Sequence, residues 1–230
     1  MKALAIDTSN LVMGVSVISD NKIVGELTTN MKKNHSVRLM PAIANLLGEV
    51  DMQPGDLDRI IVARGPGSFT GVRIGVSVAK TMAWSLNIPI TGVSSLEVLA
   101  QNGKYFDGAV CPLFDGRRGQ IYTSLYGNID NRFQLLQDER IMQLVDWIDT
   151  IKDKSRKVLF LGNDLPLHRE KIEELLGDRA VFGQAADHNP RASELAALGV
   201  ARDGENPHTF TPSYLRLAEA EAKWLANQKK

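Results

Sequence analysis

The order of predicted strands and helices constrains this sequence most, because the same order occurs twice. Apolar runs between turn residues predict three strands, followed by a helix, strand, helix, strand and helix, in each half. In the first half, the strands fall at 2–7, 12–18, 22–28, 59–64 and 88–93 and the helices at about 36–50, 72–86 and 95–101. In the second half, the strands fall at 109–114, 120–126, 133–140, 157–161 and 180–182 and the helices at 142–152, 167–176 and 192–201. The sequence therefore predicts an α/β protein with a duplicated β-β-β-α-β-α-β-α unit.

The repeat divides the chain into two expected domains. The N-terminal domain covers 1–103, and a smaller C-terminal domain covers 104–206. We expect the segment 207–230 to return to the N-terminal domain, because Trp224 and Leu225 need an apolar surface to cover them. No residue-level identity links the two halves, so the repeat is one of structure.

Composition excludes several classes of function. The 27 basic and 27 acidic side chains cancel, so no net charge draws the chain to nucleic acid or to an anionic membrane. Cys111 is the lone cysteine, which rules out an intramolecular disulfide and favours a reducing compartment. Asp7 interrupts the N-terminus too early for a signal peptide, and no apolar run approaches the roughly 20 residues of a membrane span. We expect a soluble cytoplasmic protein.

Both first strands end in an aspartate followed by turn residues. Carboxylates and hydroxyls at a strand end can hold a phosphate-bound cation or donate to phosphate oxygens, and they can equally satisfy the turn itself. Neighbouring arginines in the second turn can hold a phosphate or a partner's carboxylate, or simply face solvent. The resulting candidate is a vestigial nucleotide or phosphate cleft formed by Asp7, Thr8, Ser9, Asp115, Gly116, Arg117 and Arg118. Two such facing hairpins in a duplicated ribonuclease-H-like unit resemble the actin, hexokinase and heat-shock-chaperone ATPase superfamily.

A glycine-rich loop, RGPGSFTGVR at 64–73, lies between a predicted strand and a predicted helix. Its backbone N–H groups and the helix dipole favour an anion, although Ser68 or Thr70 could instead cap the helix of an ordinary turn. It is neither a P-loop nor a dinucleotide fingerprint, because Lys is missing and three residues separate Gly67 from Gly71. The exposed aromatic Phe69 suggests contact with another molecule. The candidate partner-binding residues are Gly65, Pro66, Gly67, Ser68, Phe69, Thr70, Gly71 and Arg73.

Two helices of the first half carry apolar residues beyond one face. In the first helix, Val37 and Met40 belong to the expected core stripe, whereas Leu39 and Leu46 lie outside it. These extra residues either pack under neighbouring helices or form an exchangeable protein interface. The candidate interface residues are Leu39, Ile43, Leu46, Ile74 and Met82, with Trp84 also off the main stripe of the second helix.

The segments LAIDTS, RGPGSFTGVRIG, FDGRRGQIY and PSYLR together are similar to the bacterial TsaB family, also called YeaZ, over the whole chain. The resemblance implies a role in making threonylcarbamoyladenosine next to the anticodon of tRNAs that read codons beginning with A. It implies a non-catalytic scaffold that binds the catalytic paralogue TsaD and the ATPase TsaE and that pairs with itself when alone. It further implies no cofactor on the isolated chain, room for ATP or ADP at the complex interface, tRNA contact only through the complex, and no membrane contact.

The same resemblance indicates where catalysis should be absent. The catalytic paralogue carries a metal-binding His-x-x-x-His after the glycine-loop helix, and the corresponding positions here are Ser95 and Leu99. No two of the four histidines are four residues apart, so we expect neither a metal site nor catalytic residues. An autonomous small-molecule kinase or ATPase is the alternative, and a metallopeptidase is disfavoured by the missing histidine pair.

Overall fold

Two five-stranded sheets form the frame of the computed structural model, which describes residues 1–154 and 157–215. The strands of the first sheet are β1 (Lys2–Asp7), β2 (Val12–Ser19), β3 (Lys22–Asn30), β4 (Arg59–Ala63) and β5 (Ile90–Val93). Those of the second sheet are β6 (Ala109–Arg117), β7 (Gln120–Ile129), β8 (Arg132–Gln143), β9 (Val158–Leu161) and β10 (Ala180–Phe182). The α-helices are α1 (His35–Glu49), α2 (Phe69–Leu86), α3 (Ser95–Ala100), α4 (Leu144–Ile151), α5 (Arg169–Leu176) and α6 (Ala192–Val200).

The two sheets have the same topology. Their strand orders are β3-β2-β1-β4-β5 and, in mirrored notation, β8-β7-β6-β9-β10. In each sheet, the first three strands in chain order run antiparallel and the last two run parallel to the first. The predicted α/β class and the duplicated order of elements are confirmed.

Strand β1 lies at the centre of the first sheet and is buried on both faces. Leu4 and Ile6 point into the core beneath α1 and α2, whereas Ala3 and Ala5 point into a second core on the opposite face. A strand that is buried on both sides reads as a continuous apolar run, which is why KALAID shows no polar alternation. Both faces of this sheet therefore need a covering layer.

Helix α1 meets the sheet through a different stripe from the one predicted. Leu39, Ile43 and Leu46 are buried in the core of the first half, whereas Val37 and Met40 are exposed. The assignment of Leu39, Ile43 and Leu46 to a protein interface is therefore wrong, because the chain's own sheet covers them. Gly25 on β3 explains the helix orientation, since a Cβ there would lie 2.9 Å from the Leu46 side chain.

The last helix of each half packs on the sheet of the other half. Leu195 and Ala196 of α6 lie in the core with Ala3, Ala5 and Ile61 of the first sheet. In return, α3 packs on the second sheet, through the apolar side chains Leu96, Leu99 and Ala100. The expected boundary at 103 therefore lies between the two sheets, but α3 and α6 each cover the sheet on the other side of it. The division into domains at 103 and 206 stays a prediction.

The segment after α6 returns to the first half as far as it is described. Phe210 is buried in the first core, and the Arg64 guanidinium lies over its ring at 4.7 Å from the centroid. Lys80 Nζ donates to the Phe210 carbonyl at 2.8 Å, and the Ser213 N–H donates to the Arg64 carbonyl at 2.8 Å. Residues 216–230, including the expected docking residues Trp224 and Leu225, lie outside the described residues. Within the described ranges, no helix is both long and apolar enough to cross a membrane.

The exchange of helices gives a stability prediction. Leu195→Ala should lower the free energy of unfolding by about 2–4 kcal/mol, because it opens a cavity between α6 and the first sheet. Urea unfolding followed by circular dichroism measures the change. Leu198→Ala on the same helix is the control, since Leu198 is only partly buried and should cost less. A cost of less than about 1 kcal/mol for Leu195→Ala would contradict the role of α6 in this core.

Candidate functional site

A cleft of about 550 Å³ opens where the carboxyl ends of the parallel strands and the hairpin turns meet. Its walls come from 66–70 of the glycine-rich loop, 114–117 of the β6–β7 hairpin and 213–215 of the returning segment. The first hairpin contributes Asn10 and Leu11. Loop residues from both halves therefore meet at one place, as the repeated fold predicts.

The glycine-rich loop is fixed to the β1–β2 turn by backbone contacts. The Ser68 N–H donates to the Ser9 carbonyl at 2.7 Å, and the Thr8 hydroxyl donates to the Gly71 carbonyl at 2.8 Å. A Cβ at Gly67 would collide with the Ser9 carbonyl, so this close approach requires glycine. The Ser68 side chain caps α2 by accepting from the Gly71 N–H at 3.3 Å, which confirms one of the two predicted caps.

Asp7, Thr8 and Ser9 lie behind this loop and do not line the cleft. All three are buried, and Asp7 Oδ1 accepts from the Ser9 N–H at 2.8 Å. Asp7 Oδ2 is also buried, with no hydrogen-bond donor among the described residues. Burial raises the pKa of the Asp7 carboxyl, which outweighs the lowering effect of the Ser9 N–H. The structure thus separates these residues from Asp115, contrary to the expected pair of facing phosphate hairpins, because the glycine loop packs between them and the cleft.

The β6–β7 hairpin does face the cleft. Asp115, Gly116 and Arg117 line it, whereas Arg118 lies on the outside of the turn. Arg117 and Arg118 adopt φ values of 65° and 55°, which reverse the chain within two residues.

Two residues beside Asp115 were missed by sequence analysis. His168 Nε2 lies 3.1 Å from Asp115 Oδ1, and Asp164 Oδ2 accepts from the Asp115 N–H at 2.9 Å. His168 is buried, so it fixes the direction of the Asp115 carboxylate from behind. Both partners come from the turn before α5, and no local pattern in the sequence links them to the hairpin.

Aromatic side chains form one rim of the cleft. Phe69 is 43% exposed and lies against Tyr214, with ring centroids 5.2 Å apart. The Arg73 guanidinium covers the Phe69 ring at 4.7 Å from its centroid. Phe69 is therefore not a core residue, and its contact with another molecule stays a prediction; no sequence pattern indicates its neighbour Tyr214.

The positions that correspond to the catalytic paralogue's histidines lie on α3. Ser95 and Leu99 are both buried, and Leu99 packs in the apolar core of the second half. Among residues 1–154 and 157–215, no three His, Cys, Asp or Glu side chains are grouped so as to hold a metal ion.

Comparisons with known proteins agree on one family. The family model described as TsaD, tRNA N6-adenosine threonylcarbamoyltransferase, matches residues 22–224. The chain is 53% identical to the tRNA threonylcarbamoyladenosine biosynthesis protein TsaB of Bacillus subtilis, over 100% of both chains. It is 34% identical to TsaB of Buchnera aphidicola, over 67% of this chain and 73% of the relative. The crystal structure of YeaZ from Pseudomonas aeruginosa superposes with a TM-score of 0.76 at 26% identity, covering 93% of this chain and 99% of that one.

The buried carboxyl of Asp7 gives a testable pH dependence. Its raised pKa means that folding favours the protonated form, so this contribution is complete below about pH 4 and is lost as the pH rises. Asp7→Asn keeps the acceptor for the Ser9 N–H without the charge. At about pH 7 it should therefore be more stable than the wild type, by an amount within the roughly 0.5–3 kcal/mol typical of single substitutions. This advantage should shrink at about pH 4.

Urea unfolding at the two pH values measures this difference. Asp7→Ala is the control, because it also removes the charge but leaves the Ser9 N–H without its acceptor. A wild-type chain more stable than Asp7→Asn at neutral pH would show that the ionised carboxylate stabilises the turn.

Proposed function

The chain belongs to the TsaB family of tRNA threonylcarbamoyladenosine biosynthesis proteins, and on that premise we propose that it is a non-catalytic scaffold subunit of the modifying complex. It acts by binding a TsaD-type catalytic subunit and a TsaE-type ATPase. The complex transfers the threonylcarbamoyl group to the adenosine next to the anticodon of tRNAs that read codons beginning with A. This reaction places the protein in the cytoplasm.

The observation that carries the proposal is an apolar face of α1 and α2 that no other described segment of the chain covers. Both helices begin at the β1–β2 turn, since His35 Nε2 lies 2.8 Å from the Asn10 carbonyl and the N-cap Ser68 donates to Ser9. They therefore run side by side in the same direction over one face of the first sheet. Their outer surface is available to a second protein.

Large apolar side chains remain exposed on this surface. Val37 and Met40, one helical turn apart on α1, are 68% and 48% exposed. On α2, Ile74 and Met82 are half-buried against the core, whereas the exposed Trp84 lies beside His208 of the returning segment. An apolar ridge of this kind suits an interface that exchanges between a second copy of the chain and the catalytic subunit.

The α3 helix supports a non-catalytic role. Leu99 cannot ligate a metal and lies in an apolar core, so the paralogue's metal chemistry has no ligands at this place. The burial of Asp7 behind the glycine loop also argues against an autonomous kinase or ATPase, which would need that carboxylate at the nucleotide phosphates. We propose that the isolated chain binds no cofactor and that ATP or ADP binds at the interface with the catalytic subunit.

Charge placed on the α1 face tests the interface. The double variant Val37→Glu with Met40→Glu should weaken binding to the TsaD-type subunit at least about tenfold, because buried unpaired carboxylates oppose association. Val37 lies in the first turn of α1, where an acidic residue is favourable, and Met40 is exposed, so the fold should persist. Calorimetric titration with the purified catalytic subunit measures the affinity, and circular dichroism checks the fold.

The control is Val145→Glu, which adds one carboxylate at an exposed apolar residue of α4 on the second half and is compared with Val37→Glu alone as well as with the double variant. Equal binding by the double variant and the control would exclude the α1 face as the interface. Failure of the wild-type chain to co-elute with the catalytic subunit at micromolar concentration would refute the scaffold role itself.

A further inference from the structure

The cleft rim, defined here as Phe69, Arg73, Arg117 and Tyr214, combines exposed aromatic rings with uncompensated positive charge. Phe69 and Tyr214 are each 43% exposed. The guanidinium groups of Arg73 and Arg117 have no carboxylate partner within the described part of the chain, and Arg73 contacts only an aromatic ring. Exposed rings beside free arginines are the combination that binds single-stranded nucleic acid, where bases stack and phosphates pair with arginine.

The floor of the cleft carries acceptors. Asp115 and Asp164 both line it, and their carboxylates are positioned by His168 and by the Asp115 N–H. Carboxylates repel phosphate groups but accept hydrogen bonds from the exocyclic amino groups of adenine and cytosine. A ligand that fits has an amino-bearing base at the floor and phosphates at the rim.

This arrangement disfavours a free nucleoside triphosphate bound in the manner of the wider superfamily. That mode puts the phosphates between the two hairpins, whereas here Asp7, Thr8 and Ser9 are covered and Asp115 faces the opening. An RNA strand can bind without placing phosphates between the two hairpins, because its phosphates flank each nucleotide along the strand. The charged rim is also local, which agrees with the overall balance of 27 basic and 27 acidic residues.

We propose that the cleft rim binds an unpaired nucleotide of the substrate tRNA directly, so that this chain contributes an RNA contact to the complex. The base stacks on Tyr214 or Phe69, its amino group meets Asp115 or Asp164, and the flanking phosphates contact Arg117 and Arg73. The inference rests on the proposed function for the identity of the RNA, but its chemistry rests on the rim.

Fluorescence anisotropy with the full-length chain and a labelled single-stranded heptaribonucleotide tests this contact. The expected result is salt-dependent binding that Phe69→Leu and Tyr214→Leu each weaken by about tenfold, as loss of one base–aromatic stack would. Arg117→Ala should lower the slope of log affinity against log salt by about 0.7, the value for one phosphate contact on a single strand. The same RNA base-paired in a duplex should bind more weakly, because its bases cannot leave the stack.

Matched controls lie at the far end of the second sheet. Tyr105→Leu removes a ring that is 91% exposed, and Arg132→Ala removes an arginine at the β7–β8 turn, away from the cleft. Neither should change RNA affinity. Circular dichroism verifies that all variants are folded.

Several results would overturn the inference. These are no binding of the single strand by the wild-type chain at about 100 µM, equal losses of affinity in rim and control variants, competition by ATP for the rim, and binding of the duplex as tightly as the single strand. If Phe69→Leu weakens binding of the catalytic subunit and leaves RNA affinity unchanged, the rim is a protein contact and the inference is wrong. Heterodimer formation is measured separately, so failure of the RNA contact leaves the scaffold role standing, and loss of the heterodimer leaves the RNA measurement valid.

Discussion

The double-sided burial of the first sheet is the constraint on which the rest of the structure depends. Strand β1 carries apolar side chains on both faces, and a sheet of this kind is stable only when each face is covered. Helices α1 and α2 cover one face, but the first half has no further helix on the other. Helix α6 of the second half fills that place, and α3 of the first half covers the second sheet in return. The two halves therefore cannot be separated without exposing a core.

This interlocking fixes the position of the cleft. Because the halves hold each other through α3 and α6, the β6–β7 hairpin is held opposite the glycine-rich loop. The loop itself lies flat on the β1–β2 turn, since Gly67 and Gly71 let the backbone approach the carbonyls of Ser9 and Thr8. The same contact buries Asp7, whose Oδ2 has no hydrogen-bond donor among the described residues. One close backbone contact thus keeps Asp7, Thr8 and Ser9 out of the cleft, so the first hairpin reaches it only through Asn10 and Leu11.

The outer surfaces follow from what the cores do not use. The apolar α1 residues that face the sheet lie in the core. Val37 and Met40 are the exposed apolar residues of α1 that can contact the proposed partner, together with the outer side of α2. The rim residues Phe69 and Arg73 project from the first turn of α2, and Arg117 projects from the opposite hairpin. The proposed partner surface thus lies on the first half alone, whereas the proposed RNA-binding rim combines residues of the first half with Arg117 of the second.

The sequence by itself determined the order of elements, the glycine-rich loop and its Ser68 cap, because these depend on neighbours within a few residues. It also identified the family, since RGPGSFTGVRIG is specific. Tertiary structure decided which stripe of α1 is buried, because apolar residues at 37, 40, 43 and at 39, 43, 46 both fit a helical period. Packing against the first sheet, including the close approach of α1 to Gly25 on β3, selects between them. It likewise decided the exchange of α3 and α6 and the grouping of His168, Asp164 and Tyr214 around the cleft. Those contacts join residues about 50 or more positions apart, and no local pattern of propensity or spacing encodes them.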